Sequence, residues 1–476
     1  MFSPSLDIPI DPNLPPDKVI ELKTSSYSSF IMLPQTLKNW PAIKDILKQA
    51  AEKHISKPEQ LYQSIINIKK LVGGMLFDTF ASLKTYLESE DPKYIENLLV
   101  NIIPIIASNA LKIEHHYPSG KLPCLVQSKQ NIVKFTSDQI LSLISLCFFC
   151  ALPSQQVDTL DTNFSMLYCS SSLPNLEVIK QKLYFFFAYF ENSINMDKNS
   201  IITLTRMVLN SSDYTKLNTN YWMKCQTLLK NVQIFEGKIE DHPEASLVDF
   251  ADSYIGGGND HIADEEQILF LQFPQLFVSS MICEKMRDNE AIIIDGIEHI
   301  SKSVGYGISL KFGGKIQDPL KNSRDKFGRI PRQIIAIDAV MCMQMIESHI
   351  KRDIAKAYLG FQGGRYLEPK ESKPISTGRW GSGYFKGSSP IKFIIQWIAA
   401  SEVGKELFFH PFGDPMLINL KALLEAYKSQ TIGKLYRAVM KYMLDETDSM
   451  KQGNNLFDWL IKNKDMPWQD YVTQTP

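Results

Sequence analysis

Apolar residues recur at helical spacing through the first third of the chain. From Pro41 onward, runs such as LVGGMLFDTFASLKTYLES and YIENLLVNIIPIIASNAL place them three and four apart, which predicts amphipathic helices. Thr136 and Gln139 form a capping box ahead of Ile140, and Pro153 is expected to stop the helix they open. A further helix is predicted over residues 176–190, where the aromatic run YFFFAYF reads as core packing. Residues 1–40, rich in Pro and Ser, are expected to be irregular.

The pattern changes near Ile201. IITLTRMVL, SLVDFA, AIIID, RQIIAIDAV and ELFFHPF are short apolar runs of the kind buried on both faces of a sheet. Helical patterns lie between and after them, over residues 266–276, 341–359, 391–400 and 417–444, with Ile432, Leu435 and Val439 on one face of the last. Strands alternating with helices predict a mixed or largely parallel sheet covered on both sides. The expected fold class is therefore α/β, a three-layer sandwich with a mixed central sheet. An N-terminal α-helical accessory domain spans residues 1–195, and the α/β domain with C-terminal helices spans 196–476.

Composition adds limits. Hydrophobic residues make up 44% and charged residues 22% of 476, as in an ordinary globular protein. The net charge of −1 supplies no global field for a polyanion, so such a ligand would be held by local groups. Seven cysteines are scattered, and the Cys147/Cys150 pair lies inside an apolar run, so buried thiols in a reducing compartment are expected. That compartment is nuclear or cytoplasmic. No secretory signal and no membrane-spanning segment is read, and no histidine spacing suggests a catalytic metal. The stretch Lys321, Arg324, Lys326, Arg329 and Arg332 reads as a solvated loop, with polymer phosphates as the alternative ligand.

Two glycine loops carry the candidate chemistry. In VDFADSYIGGGNDHIADEEQILF, a strand over residues 247–251 runs into Gly256-Gly257-Gly258, then Asp264, Glu265 and Glu266 open a helix. Strand, glycine loop and helix start is a geometry that holds phosphate, because glycine lets backbone N–H groups approach an anion. Acids at that position repel phosphate unless one carries a proton. Read alone, the stretch is also that of a capped surface helix. The second loop, STGRWGSGYFKG (residues 376–387), has four glycines in ten residues and is not a P-loop.

Together, VDFA, GGG, the paired Glu and TG-x-WG-x-G-x-F-x-G resemble the signature of the poly(ADP-ribose) glycohydrolases. SDQILSLISLCFFCALP, KIEDHPEASLVDFA, QIIAIDA, KFIIQWIAAS and FHPFGD follow in the family's order, over residues 135–444. The resemblance implies a macrodomain-like domain that binds ADP-ribose, with the helical region on its N-terminal side. It implies hydrolysis of ribose–ribose O-glycosidic bonds in poly(ADP-ribose), mainly exo-acting, with no cofactor.

By position in the motifs, Glu266 matches the catalytic acid, Glu265 its neighbour that orders the ribose hydroxyls, and Asp249 the supporting acid. Ile239 and Glu240 match the adenine-contacting pair. Tyr306 and Phe412 match aromatic rings beside adenine and ribose, and Gly257 and Gly258 pass close to the terminal ribose. Gly378, Arg379, Trp380, Gly381, Ser382, Gly383, Tyr384 and Phe385 match the diphosphate cradle. Asp252, Asp264 and Arg379 stand where the family has Asn, Gln and Asn, and Ser303 where an aromatic residue is common; Asp252 and Asp264 are kept among the substrate-binding positions.

Adjacent Glu265 and Glu266 diverge by about 100° on a helix, so they do not flank a sugar as opposed carboxylates, and one carboxyl serves both proton transfers. The alternatives are a non-catalytic reader of ADP-ribose and a hydrolase of mono-ADP-ribosyl substrates. The expected partners are poly(ADP-ribose), its ADP-ribose product and ADP-ribosylated proteins. Sequence-specific nucleic acid and membrane are not expected, and the chain is expected to be a monomer.

Overall fold

The computed structural model describes residues 29–73, 80–169, 173–257, 263–343, 345–363, 373–445 and 456–466. Among these, the strands in chain order are β1 (Phe30–Met32), β2 (Lys121–Pro123), β3 (Asn131–Thr136), β4 (Ile201–Val208), β5 (Val232–Ile234), β6 (Ser246–Asp249), β7 (Glu290–Gly296), β8 (Ser301–Val304), β9 (Lys311–Lys315), β10 (Ile330–Ala336), β11 (Ile375–Thr377) and β12 (Leu407–Phe409). Eight form one sheet in the order β3-β4-β7-β10-β6-β11-β12-β5. It is mixed: β3, β4, β7 and β10 pair antiparallel, while β10, β6, β11, β12 and β5 pair parallel.

Strict alternation along the central strands explains the layers, because successive side chains leave opposite faces of a sheet. Leu247, Ile292, Ile294 and Ile334 point into one core with Ile140, Ile144, Phe186 and Phe270 from the helices Ser137–Phe148, Leu173–Asn192 and Glu265–Gln272. Val248, Ala291, Ile293 and Ile335 point into a second core with Ile354, Ile394 and Trp397 from the helices Glu347–Phe361 and Ser389–Glu402. The α/β sandwich is thus helices, mixed sheet, helices, with the N-terminal helices forming one outer layer.

Several details differ from the periodicity reading. NIVKFT, inside the expected helical region, is the edge strand β3 and pairs with β4 along its length. Phe30–Met32, within the stretch expected to be irregular, pairs with β2. The predicted single helix through NLLVNIIPII contains a π-turn at Leu98–Ile102, because the Pro104 ring is incompatible with the carbonyl four residues earlier. By length and composition the run Pro92–His116 suits a membrane, but more than half of its most apolar 18-residue window is buried in the protein, and the run packs against the helices Trp40–Ala51 and Ser137–Phe148.

Thr136 and Gln139 do form the capping box. The helix ends before Pro153, however: Cys150 takes φ 53° and Ala151 N donates to Leu146 O at 2.9 Å, the left-handed helix ending usually made by glycine. The predicted helix over 341–359 begins later, at Glu347, and that over 417–444 divides into Leu420–Ala426 and Ile432–Asp445.

The basic stretch is an exposed loop over residues 322–326, as expected, but its last two arginines are buried, and the ion pairs of Lys321, Arg324, Arg329 and Arg332 are to carboxylates of the same chain. Arg332 pairs with Asp318 at 2.6 Å, and Arg329 with Asp325 at 2.8 Å and Asp295 at 3.2 Å, all buried or nearly so. Lys321 pairs with Glu298 and Arg324 with Asp197.

Candidate active site

Parallel pairing brings the carboxyl ends of four strands together. Ala336 lies beside Asp249, Ser376 beside Leu247, and Thr377 beside Phe409. Ligands of open α/β sheets sit outside such ends, and the two glycine loops leave the sheet here.

Asp249, the last residue of β6, is fully buried, and neither of its carboxyl oxygens has a hydrogen-bond partner among the described residues. Glu266 is buried in the first turn of the helix Glu265–Gln272. Its Oε2 accepts from Asp252 N at 3.1 Å and its Oε1 from Gly256 N at 2.5 Å. Of the first glycine loop, Gly256 therefore aims its amide at a carboxyl of its own chain and Gly257 at the Tyr254 carbonyl, not outward at an anion as the sequence suggests. Gly256 takes φ 75°, and a Cβ there would lie 2.0 Å from Ser280 Oγ and 2.6 Å from Phe270 Cε1. Only glycine fits the backbone and the space. Asp264 caps the helix, accepting from Gln267 N at 3.0 Å, so the departure from Gln supplies the N-cap.

Burial is the main cause raising the Glu266 carboxyl well above its ordinary range, and the neighbouring Asp249 charge adds to it. The two amide donors favour the anion but are outweighed. Asp249 is raised for the same reason, by burial first and then by the Asp264 charge. Glu265 turns away from Glu266, as the helical step requires, and accepts from Tyr306 Oη at 2.9 Å. Its carboxyl is raised by burial against that bond. Gly307 N, bonded to Ala263 O at 2.8 Å, ties the Tyr306 turn to the helix start.

An acid with a raised pKa in the fold favours the folded state most below its ordinary pKa, and that contribution is lost as pH rises through the folded value. Asp249→Asn removes one such carboxyl. The melting temperature of this variant minus that of the wild type is expected to increase steadily from about pH 4 upward. A difference independent of pH in thermal melts would show that Asp249 is not strained by its charge.

The second loop is anchored from beneath. Trp380 is fully buried and its Nε1 donates to Ile337 O at 2.8 Å, so this side chain holds the loop and does not face outward. Gly381 takes φ 73°, and Cβ atoms built on Gly381 and Gly387 would meet the Lys392 Cε at 2.9 and 2.6 Å. Lys392, fully buried in the helix Ser389–Glu402, ion-pairs with Asp353, reaches Val340 O at 3.2 Å and lies 5.3 Å from the Trp380 ring centre. Gln396 bonds Thr377 Oγ1 and Gly378 O. These helix residues carry no sequence signal beyond an apolar helix, and only the fold shows that they carry the loop.

On the loop's outer side, Gly383 faces open space, Tyr384 is 69% exposed and Phe385 is half-buried; Ser382 is buried, and its Oγ lacks a partner among the described residues. Arg379 pairs with Asp414 at 2.8 Å, so its charge is partly answered within the protein.

Phe412, 44% exposed with φ 50°, rests against Gly378, where a Cβ would lie 2.7 Å from its ring. Tyr306, 49% exposed, is held to Glu265 through its hydroxyl. Ser376 Oγ donates to Ile239 O at 2.9 Å, which places Ile239 and Glu240 beside β11. Asp252 is partly buried and Gly257 packs against Tyr254 O; Gly258 lies outside the described residues.

Comparison with known proteins gives a consistent family. Residues 219–419 match the family described as poly(ADP-ribose) glycohydrolase, macro domain fold, and residues 86–206 match its helical domain. A Caenorhabditis elegans poly(ADP-ribose) glycohydrolase 1 is 34% identical over 299 residues, covering 59% of this chain and 37% of that protein. The Arabidopsis thaliana poly(ADP-ribose) glycohydrolase 1 is 25% identical over 522 residues, covering 89% and 93%. The chain thus spans little over a third of the nematode relative but nearly all of the plant one. Among solved structures, a mutant poly(ADP-ribose) glycohydrolase from Deinococcus radiodurans in complex with ADP-ribose overlaps 46% of this chain and 93% of its own, at 11% identity and a TM-score of 0.31. By its two matched domains, in the order helical region then macrodomain, the chain belongs to the poly(ADP-ribose) glycohydrolase family.

Proposed function

We propose that this protein hydrolyses the ribose–ribose O-glycosidic bond of poly(ADP-ribose), working from a chain end and releasing ADP-ribose, with Glu266 as acid and then base. The carrying observation is the buried Glu266 carboxyl, gripped by Asp252 N and Gly256 N and raised by burial beside Asp249. A reader of ADP-ribose has no need of a protonated carboxyl fixed at that place.

Cleavage requires a proton on the departing 2′-oxygen and relief for an oxocarbenium-like ribose. Glu266 donates that proton, and the resulting carboxylate then takes one from the attacking water. The amides of Asp252 and Gly256 steady the carboxylate between the two transfers. Glu265, oriented by Tyr306, orders the ribose hydroxyls. The amides of residues 378–385 receive the diphosphate, whose charge lies where the cationic sugar forms. Phe412 and Tyr306 flank the nucleotide, and Ile239 and Glu240 meet the adenine.

The test uses labelled poly(ADP-ribose) and, separately, a protein carrying single ADP-ribose units. Release of ADP-ribose from the polymer alone supports the proposal. Release from the mono-modified protein alone would assign the same pocket to a different substrate, and binding without release would make the protein a reader.

A further inference from the structure

Three soft donors meet where the chain passes from β10 to the helix Glu347–Phe361. Cys342 Sγ lies 3.3 Å from Met345 Sδ and 3.4 Å from His349 Nδ1. Met345 is 1% exposed and packed into the second core. Cys342 and His349 are half-buried, and His349 stands in the first turn of the helix. The segment ahead of them is held by the backbone of Val340, whose N donates to Asp353 Oδ1 at 3.1 Å and whose O accepts from Lys392 Nζ at 3.2 Å.

The spacing suits ligands around one ion. Bonds of about 2.0 Å to nitrogen and about 2.3 Å to sulfur, opened by about 110–120°, set donor atoms about 3.5–4 Å apart. The observed separations fall short of that by a few tenths of an ångström, which a small turn of the Cys342 side chain supplies. Sulfur is weak both as donor and as acceptor of hydrogen bonds, so hydrogen bonding gives little reason for three such groups to converge. Among the described residues no three His, Cys, Asp or Glu side chains gather as a metal site. Here a thioether completes the set.

The donors choose the ion. Thiolate and thioether favour monovalent copper over hard divalent ions. Only Cys342 can be an anionic ligand, so a monovalent ion with its thiolate is neutral, whereas zinc would leave a positive charge and lack a fourth ligand. Neutrality matters at this place. Lys392 and Asp353, whose charges act on Cys342, already answer each other, and the first turn of a helix is the positive end of its dipole. Met341 and Met343, each 58% exposed on either side of Cys342 in the chain, present further thioethers to the solvent from which an ion arrives.

We propose that Cys342, Met345 and His349 form a binding site for one monovalent copper ion. None of the three belongs to the residues assigned to hydrolysis. On binding, a Cu–S bond replaces the S–H bond, the proton passes to water, and the oxidation state of copper does not change.

The experiment lets the reduced full chain compete, without oxygen, against the chelator bicinchoninate for Cu(I). The wild type is expected to withdraw one equivalent of copper more than Cys342→Ser, with the other thiols contributing equally to both. Met345→Leu, which keeps the volume, and His349→Gln are each expected to weaken the site about tenfold or more. X-ray absorption of the loaded protein is expected to show two sulfur neighbours and one nitrogen, and copper is expected to raise the melting temperature of the wild type but not of Cys342→Ser. Melting without copper checks that each variant folds, and any one that folds decides. Equal uptake by wild type and Cys342→Ser overturns the proposal. Full affinity in both Met345→Leu and His349→Gln also overturns it, since a single thiol would then account for the binding. So does displacement of the copper by an equimolar amount of zinc.

Discussion

Glu266→Gln is expected to abolish turnover while leaving ADP-ribose bound. Each proton transfer by a positioned acid or base is worth about 10²–10⁴ in rate. Glu266 is proposed to perform both, so a fall near the upper end, about 10⁴-fold, is expected. Gln can accept one of the two amide bonds through its oxygen, but its NH2 faces the other donor. That mismatch costs about 1–3 kcal/mol of stability, which an intact fold tolerates. Single-turnover rates on polymer and calorimetry with ADP-ribose together decide the matter. A variant that cleaves within about tenfold of wild type would remove Glu266 from the mechanism. In the same assay Asp249→Asn should move the alkaline limb of kcat to lower pH, since a neighbouring like charge that lifts the Glu266 pKa has been taken away.

The second large effect lies beneath the other glycine loop. Asp353→Ala leaves Lys392 charged, fully buried and without its carboxylate, a change that typically costs about 3–5 kcal/mol. The helices Glu347–Phe361 and Ser389–Glu402 meet at this pair, and the loop from Gly378 to Gly387 closes over the lysine stem. The denaturation midpoint should fall accordingly, and ADP-ribose affinity should fall with it as the loop loses its seat. Replacing both partners with apolar residues, Asp353→Leu with Lys392→Met, is expected to recover most of the stability, because no lone charge remains. Arg352, 3.0 Å from Asp353 and paired with Asp338, then carries the remaining charge pairing. A cost below about 1 kcal/mol for the single change would mean that water reaches Lys392.

The legible parts of the chain were those with strong local pattern. AIIID, RQIIAIDAV and IITLTRMVL announced themselves as strands buried on both faces, and the Thr136–Gln139 box marked its helix start. Segments of three residues such as Val232–Ile234 and Ile375–Thr377 had no room for a period to show. NIVKFT is hard to read as a strand because Asn131, Lys134 and Thr136 dilute its apolar residues and helical patterns stand on both sides of it.

Charge was the least legible feature. Lys321, Arg324, Arg329 and Arg332 look like a free basic run until the fold brings Glu298, Asp197, Asp295 and Asp318 to them from distant positions. The same applies at the site. The Glu pair and both glycine loops stand out in sequence. Lys392, Asp353 and Gln396 do not, since their meaning lies in partners that sequence spacing does not show. The direction of the Gly256 amide, into the Glu266 carboxyl, was likewise a matter of three dimensions.

The alternation along β7 has a practical consequence. With Ile292 and Ile294 turned toward the N-terminal helices, and β3 contributed by the same region, a fragment cut to begin near residue 196 would lose an edge strand and bare a broad greasy surface. Such a fragment should be recovered from cells as insoluble material, however complete its list of catalytic side chains.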